Sequence, residues 1–142
     1  MVNLFFEDVD LINLDSKLLS SWLSNVCDEE SKVLYEVNLI FCSDEYLLKM
    51  NIEYLQHDYY TDIISFDYCE DNKILGDLFI SKDRVLDNSI EHNVSFYTEI
   101  QRVIVHGVLH LCGYKDKTDV EEILMRNKED YYLSKIVSRE TL

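Results

Sequence analysis

The sequence predicts an α+β fold: a mixed four-stranded β-sheet packed with about five α-helices, with a metal site on a central helix. Three observations point there. Short segments with strand alternation occur early and in the middle of the chain. Segments with helical periodicity and caps separate and follow them. Their order reads β-α-β-α-β-β-α-α-α, which suits a sheet covered by helices.

Residues 2–6 (VNLFF) read as the first strand. A helix follows over about Lys17–Val26, where Leu14, Leu18, Trp22 and Val26 recur every four residues. Asp28, Glu29 and Glu30 then form an acidic turn. Residues 33–42 alternate, placing Tyr35, Val37, Leu39 and Phe41 on one face of a second strand. Ser43 and Asp44 start a helix that runs to about Tyr54. The polar segment Gln56–Tyr60 leads to a strand at Asp62–Tyr68. Asn72 and Lys73 turn the chain into a fourth strand, Ile74–Ile80. Ser81 caps a short helix. Ser95 caps a longer one that ends near Cys112, with Gly113 as its stop. Thr118 and Glu121 have capping-box spacing for a last helix, Asp119–Leu133.

Length and composition fit one domain over residues 1–142. A chain of this size buries about 68–70% of its unfolded surface, and 47% hydrophobic residues argue against disorder. No apolar run approaches the roughly 20 residues of a membrane span. The first ten residues, MVNLFFEDVD, lack the basic start and cleavage pattern of a secretory signal, so a cytoplasmic location is expected. Cys27, Cys42, Cys69 and Cys112 are far apart, with no C-x-x-C pair, and are expected to be reduced. The formal net charge of −15 gives poor long-range attraction to a polyanion. Any nucleic-acid contact must use a local patch drawn from Lys82, Arg84, Arg102, Lys115, Lys117, Arg126 and Lys128. On charge alone, the favoured reading is a solvated acidic surface with scattered cations.

The informative stretch runs from His106 to Asp116, HGVLHLCGYKD. Each helical residue advances about 100°, so His106 and His110 share a face one turn apart, as two imidazoles holding one cation require. Gly113 lets the backbone leave through a left-handed conformation and bring Asp116 back toward the same point. Two imidazoles and a carboxylate leave coordination positions open for water. The competing reading is a pair of ordinary core histidines. The main apolar stripe, Phe96, Ile100, Ile104, Val108 and Leu111, lies on the opposite side of the helix, whereas Glu99 aligns with the histidines two turns earlier. The spacing H-x3-H-x2-G-x2-D resembles the ligand layout of metzincin proteases. The glutamate that serves H-E-x-x-H enzymes as general base is, however, replaced by Gly107.

The segment His106–Asp116 also resembles the H-G-x-L-H-L-x-G-Y-D-H motif of the YbeY family, bacterial endoribonucleases of rRNA maturation. Met50-Asn51, Tyr54 and Thr61-Asp62-Ile63-Ile64-Ser65-Phe66 resemble its L-N-x-x-Y … T-D-V-L-S-F segment, and Leu75–Ser81 its L-G-D-I-x-I segment. The resemblance covers about residues 50–116, with two departures. The family's third histidine falls at Asp116, and the aspartate before it at Lys115. The family's arginine after the tyrosine falls at Leu55, where leucine cannot stabilise a phosphorane. His57 is the nearest replacement, set against a plain loop histidine.

The resemblance implies a single-strand-specific, metal-dependent endoribonuclease of 16S rRNA 3′-end maturation and ribosome quality control. Its ligands would be His106, His110 and Asp116. Its ion would be zinc, with nickel, manganese or iron favoured more once an aspartate replaces a histidine. The implied partners are rRNA and the small ribosomal subunit, with ribosomal proteins and the Era GTPase, and neither membrane nor DNA. The segment Asp58–Phe66 would line a cleft between metal helix and sheet, with Thr61 and Ser65 donating to a phosphate or simply satisfying local backbone. The catalytic candidates are His57, Arg102 and Lys115, and Arg84 is a further cation able to offset phosphate charge. Two rivals stand beside this: a metal hydrolase of a non-RNA substrate, and a non-enzymatic ribosome-assembly factor with a structural metal.

Overall fold

The computed structural model describes residues 1–136. Its elements follow the predicted order: β1 (Val2–Phe6), α1 (Ser16–Glu29), β2 (Val33–Cys42), α2 (Asp44–Leu55), β3 (Ile63–Asp67), β4 (Lys73–Ser81), α3 (Lys82–Glu91), α4 (Phe96–Leu111) and α5 (Asp119–Leu133). The sheet order is β1-β2-β4-β3. β1, β2 and β4 run parallel, and β3 pairs antiparallel with β4, Ser65 lying opposite Leu78. Each helix after the first begins at an oxygen-bearing cap, Ser43, Ser81, Ser95 or Thr118. The Thr118–Glu121 pair closes a reciprocal capping box.

Neighbouring strand residues point to opposite faces, so the sheet has two cores. Ile63, Leu78 and Ile80 join Leu39, Trp22, Ile104 and Val108 in the larger one, which includes residues of α1, α4 and α5. Ile64 joins Cys42 and Leu47 in a smaller one with Met50 of α2. The cysteines are free thiols, two of them buried.

Three details depart from the periodicity. Tyr35 is exposed, whereas Val37, Leu39 and Phe41 are fully buried. The register of β2 slips between Leu34 and Glu36, so an extra residue turns Tyr35 outward, where Lys73 approaches its ring. Leu14 precedes the helix, which is capped by Asp15. Asp28 and Glu29 belong to the last turn of α1 rather than to a turn beyond it.

Helix α4 is held close to the sheet by Gly107. A Cβ there would lie 2.7 Å from Ile63 Cδ1 and 2.8 Å from Leu78 Cδ1. Position 107 therefore faces the sheet, and it is glycine because the two surfaces touch.

Candidate metal centre

α4 ends in a Schellman motif. Tyr114 N–H donates to the Leu109 carbonyl and Gly113 N–H to that of His110, each at 3.0 Å. Gly113 has φ +112°, a region that side-chain-bearing residues rarely enter. This reversal brings Asp116 to the histidines. His106 Nε2 lies 3.0 Å from His110 Nε2, and Asp116 Oδ2 is 3.2 and 3.3 Å from the two nitrogens.

The outer partners fix which nitrogens carry hydrogen. His110 Nδ1 faces the Tyr114 carbonyl at 2.9 Å; a carbonyl only accepts, so Nδ1 is the donor. His106 Nδ1 likewise donates to Glu129 Oε2 at 2.6 Å. In the neutral tautomers both Nε2 atoms then present lone pairs to each other and to a carboxylate oxygen. Three acceptors this close repel unless a proton or a metal cation lies among them. Two ligands about 2.1 Å from one ion are about 3.0–3.4 Å apart at octahedral or tetrahedral angles, so these separations fit a divalent metal. Among the described residues this is the one His/Cys/Asp/Glu group with that convergence. Burial lowers the affinity of His106 for a proton, but the hydrogen bond and charge of Glu129 outweigh it and raise the pKa above the ordinary histidine value. Burial also favours protonated Glu129, yet His106 and Arg102 hold its carboxyl below the usual range.

Two cavities meet here, and both are lined by Asp62, His106 and Asp116. The one toward β3, of about 500 Å³, adds Thr61, Ser65, His110, Lys117 and Leu55. The one toward α3 and α5, of about 510 Å³, adds Glu99, Arg102, Val103, Met125 and Arg126. Burial pushes the Asp62 carboxyl above its usual range.

The structure brings His106, His110 and Asp116 together and distributes the other candidates around them. Arg102 lines the α5-side cavity, but its guanidinium donates to Glu129 at 2.9 Å and Asp130 at 2.7 Å. It thereby braces the carboxylate that orients His106. Arg84 is held by Asp44 at 2.8 Å. His57 lies outside both cavity linings, stacked on Tyr59 with its Nδ1 2.9 Å from the tyrosine hydroxyl. Lys115 also lies outside them and is exposed, whereas Lys117 lines the β3 side. Leu55 lines the β3-side cavity, so no guanidinium stands at that position.

Glu129 and the Tyr114 carbonyl were not foreseen. A signal for Glu129 existed: on α5 it falls between Met125 and Tyr132 at four- and three-residue spacing, an acid on a buried stripe. Nothing local marked the Tyr114 carbonyl.

Fold and site define an α+β domain with a three-residue group able to hold a metal ion where two cavities meet, a class that includes metal-dependent hydrolases. Residues 6–137 match the family model described as Endoribonuclease YbeY, and the chain belongs to that family. Among its relatives, the Endoribonuclease YbeY of Flavobacterium johnsoniae is 53% identical over 131 residues, covering 92% of this chain and 93% of that protein. That of Porphyromonas gingivalis strain W83 is 43% identical over 141 residues, covering 99% and 92%. The solution structure of TM1509 from Thermotoga maritima superposes with a TM-score of 0.66 at 26% identity, covering 96% of this chain and 89% of that one. No helix among the described residues is long and apolar enough to cross a membrane.

Proposed function

We propose that this protein is a metal-dependent endoribonuclease that cleaves single-stranded RNA in 16S rRNA 3′-end maturation and ribosome quality control. Its ion would be one zinc, held by His106, His110 and Asp116. The observation that carries the reading is the convergence of three lone-pair ligands where two cavities join, in a chain whose relatives are named endoribonucleases. A divalent ion held there would supply Lewis acidity toward a water molecule and a phosphoryl oxygen. The chain's own groups divide the remaining work. Glu129 and the Tyr114 carbonyl keep both Nε2 atoms directed inward. Ser65 and Lys117 line the β3 side, where a phosphate needs donors, together with Thr61, whose hydroxyl also faces the Ile63 carbonyl at 3.5 Å. The setting is the cytoplasm and the small ribosomal subunit, with ribosomal proteins and the Era GTPase as partners.

The direct test replaces one ligand. His110→Ala is expected to lose bound metal and cleavage of single-stranded RNA together, read by elemental analysis and gel assay. Cleavage that survives with the metal gone would refute the mechanism. The same analysis decides zinc against nickel, manganese or iron. Leu55 in place of a guanidinium favours a second reading, an assembly factor with a structural ion. That factor would co-sediment with ribosomal particles even after Asp116→Ala, while cutting no RNA.

A further inference from the structure

Glu99 lies outside the group formed by His106, His110 and Asp116. Its side chain is 6% exposed and lines the α5-side cavity. Its ion-pair neighbour among the described residues is His92, with Nδ1 3.6 Å from Oε1, longer than a hydrogen bond. With no close hydrogen bond from a described side chain, the Glu99 carboxylate takes its donors from the cavity it lines, from water or from a bound group. The cavity around it is acidic, with Asp62, Asp116, Glu122 and Glu129 in its lining. Of its two arginines, Arg102 already serves Glu129 and Asp130, and Arg126 lies 3.8 Å from Glu129. A phosphate is disfavoured there, and a neutral group rich in N–H is favoured. Buried Val103 and Met125 supply apolar wall, and exposed Ile123 adds to the lining. The volume of about 510 Å³ is in the range of small-molecule sites.

We propose that this cavity is a nucleobase subsite that reads guanine, with the Glu99 carboxylate accepting N1–H and the exocyclic N2–H of one base near the scissile phosphodiester. The inference rests on the endoribonuclease reading and adds its sequence preference. A carboxylate is acceptor-only, with two oxygens side by side. Among the RNA bases only guanine presents two adjacent donors on one edge. Adenine and cytosine place an acceptor nitrogen beside their amino group, and uracil flanks a single N–H with carbonyls. The two cavities then divide the substrate, with phosphate on the hydroxyl-lined β3 side and base on the acidic α5 side.

The test uses metal-loaded protein and single-stranded oligoribonucleotides that differ at one position, scanned across the cleavage site. That position carries guanine, or inosine, which lacks only the N2 amino group. At one position the wild type should cut the guanine substrate with kcat/KM about tenfold or more above the inosine one, the effect of one hydrogen bond to a charged group. In Glu99→Gln, with metal content checked, that ratio should fall to near one, because the amide turns an N–H2 toward a donor. Equal cutting of the two substrates by the wild type at every position overturns the proposal without needing a variant. A wild-type ratio retained in Glu99→Gln overturns the role of Glu99. Failure of the metal-loaded wild type to cut any RNA refutes the nuclease reading itself, and the base subsite with it.

Discussion

The imidazole of His106 is subject to two opposed effects. Burial disfavours the charged ring, while the hydrogen bond and charge of Glu129 favour it, and the second prevails. A cation entering the site must therefore displace a proton held more tightly than usual, so metal affinity should rise with pH. Glu129→Gln keeps the shape but removes the charge that orients and polarises the ring. Metal affinity measured by chelator competition should drop about 10–100-fold; an unchanged affinity would mean that helix geometry alone aligns the nitrogen. Without metal, the same contact links stability to pH. The folded pKa of His106 is raised, so its contribution is fully present below the unfolded value of about 6.5 and is lost as pH rises through the folded value. The melting-temperature gap between metal-free wild type and Glu129→Gln should therefore narrow as pH rises through that raised folded value.

Three elements meet at Glu30, the residue that caps the C-terminus of α1. Its carboxylate accepts from Tyr114 Oη at 2.6 Å, from Tyr132 Oη, and from Lys128 Nζ at 3.3 Å. This ties α1 to α5 and to the loop whose Tyr114 carbonyl orients His110. Burial alone would raise the Glu30 pKa, but these donors bring it below the ordinary carboxylate value. A depressed folded pKa stabilises above the unfolded value of about 4.3 and loses that effect as pH falls through the folded one. Glu30→Gln should cost about 2 kcal/mol in urea melts at pH 7, with the deficit shrinking toward pH 3. A deficit that grows on acidification would contradict the assignment. α4 poses a different problem, because Gly107 is where it touches the sheet. Alanine regains about 1 kcal/mol of helix propensity, but its methyl collides with buried Leu78 and with Ile63, and overpacking costs about 1–3 kcal/mol. Gly107→Ala should thus be near neutral to about 2 kcal/mol destabilising. Metal affinity should fall more clearly, because the helix that carries both histidines is displaced.

Over the whole molecule, what could be read from sequence depended on how far apart the interacting groups are along the chain. Caps such as Ser95 and Thr118 act within one turn, and so do the His106–His110 spacing and the Gly113 reversal; all were legible. The Tyr35 bulge arises from the pairing of β2 with β4, and periodicity within β2 alone misplaced that side chain. Glu129 reaches His106 across 23 residues, and Arg102 braces it from another helix, so neither role shows in a local pattern.

The same pairing alters what the charge of −15 implies for RNA binding. Of the basic residues named from sequence, Arg84, Arg102 and Lys128 are committed to Asp44, Glu129 and Glu30. Exposed Lys117 lines the β3-side cavity and exposed Lys115 is the chain neighbour of Asp116, with Arg126 3.8 Å from Glu129. Two or three phosphate contacts on a single strand give a slope of log affinity against log salt of about −1.4 to −2.1. We expect that range for metal-loaded protein binding a 2′-O-methyl analogue of single-stranded RNA, followed by fluorescence anisotropy. Lys117→Ala should make the slope shallower by about 0.7. A wild-type slope of about −4 or steeper would require cationic contacts that the cleft does not contain, and would move the RNA path to another surface.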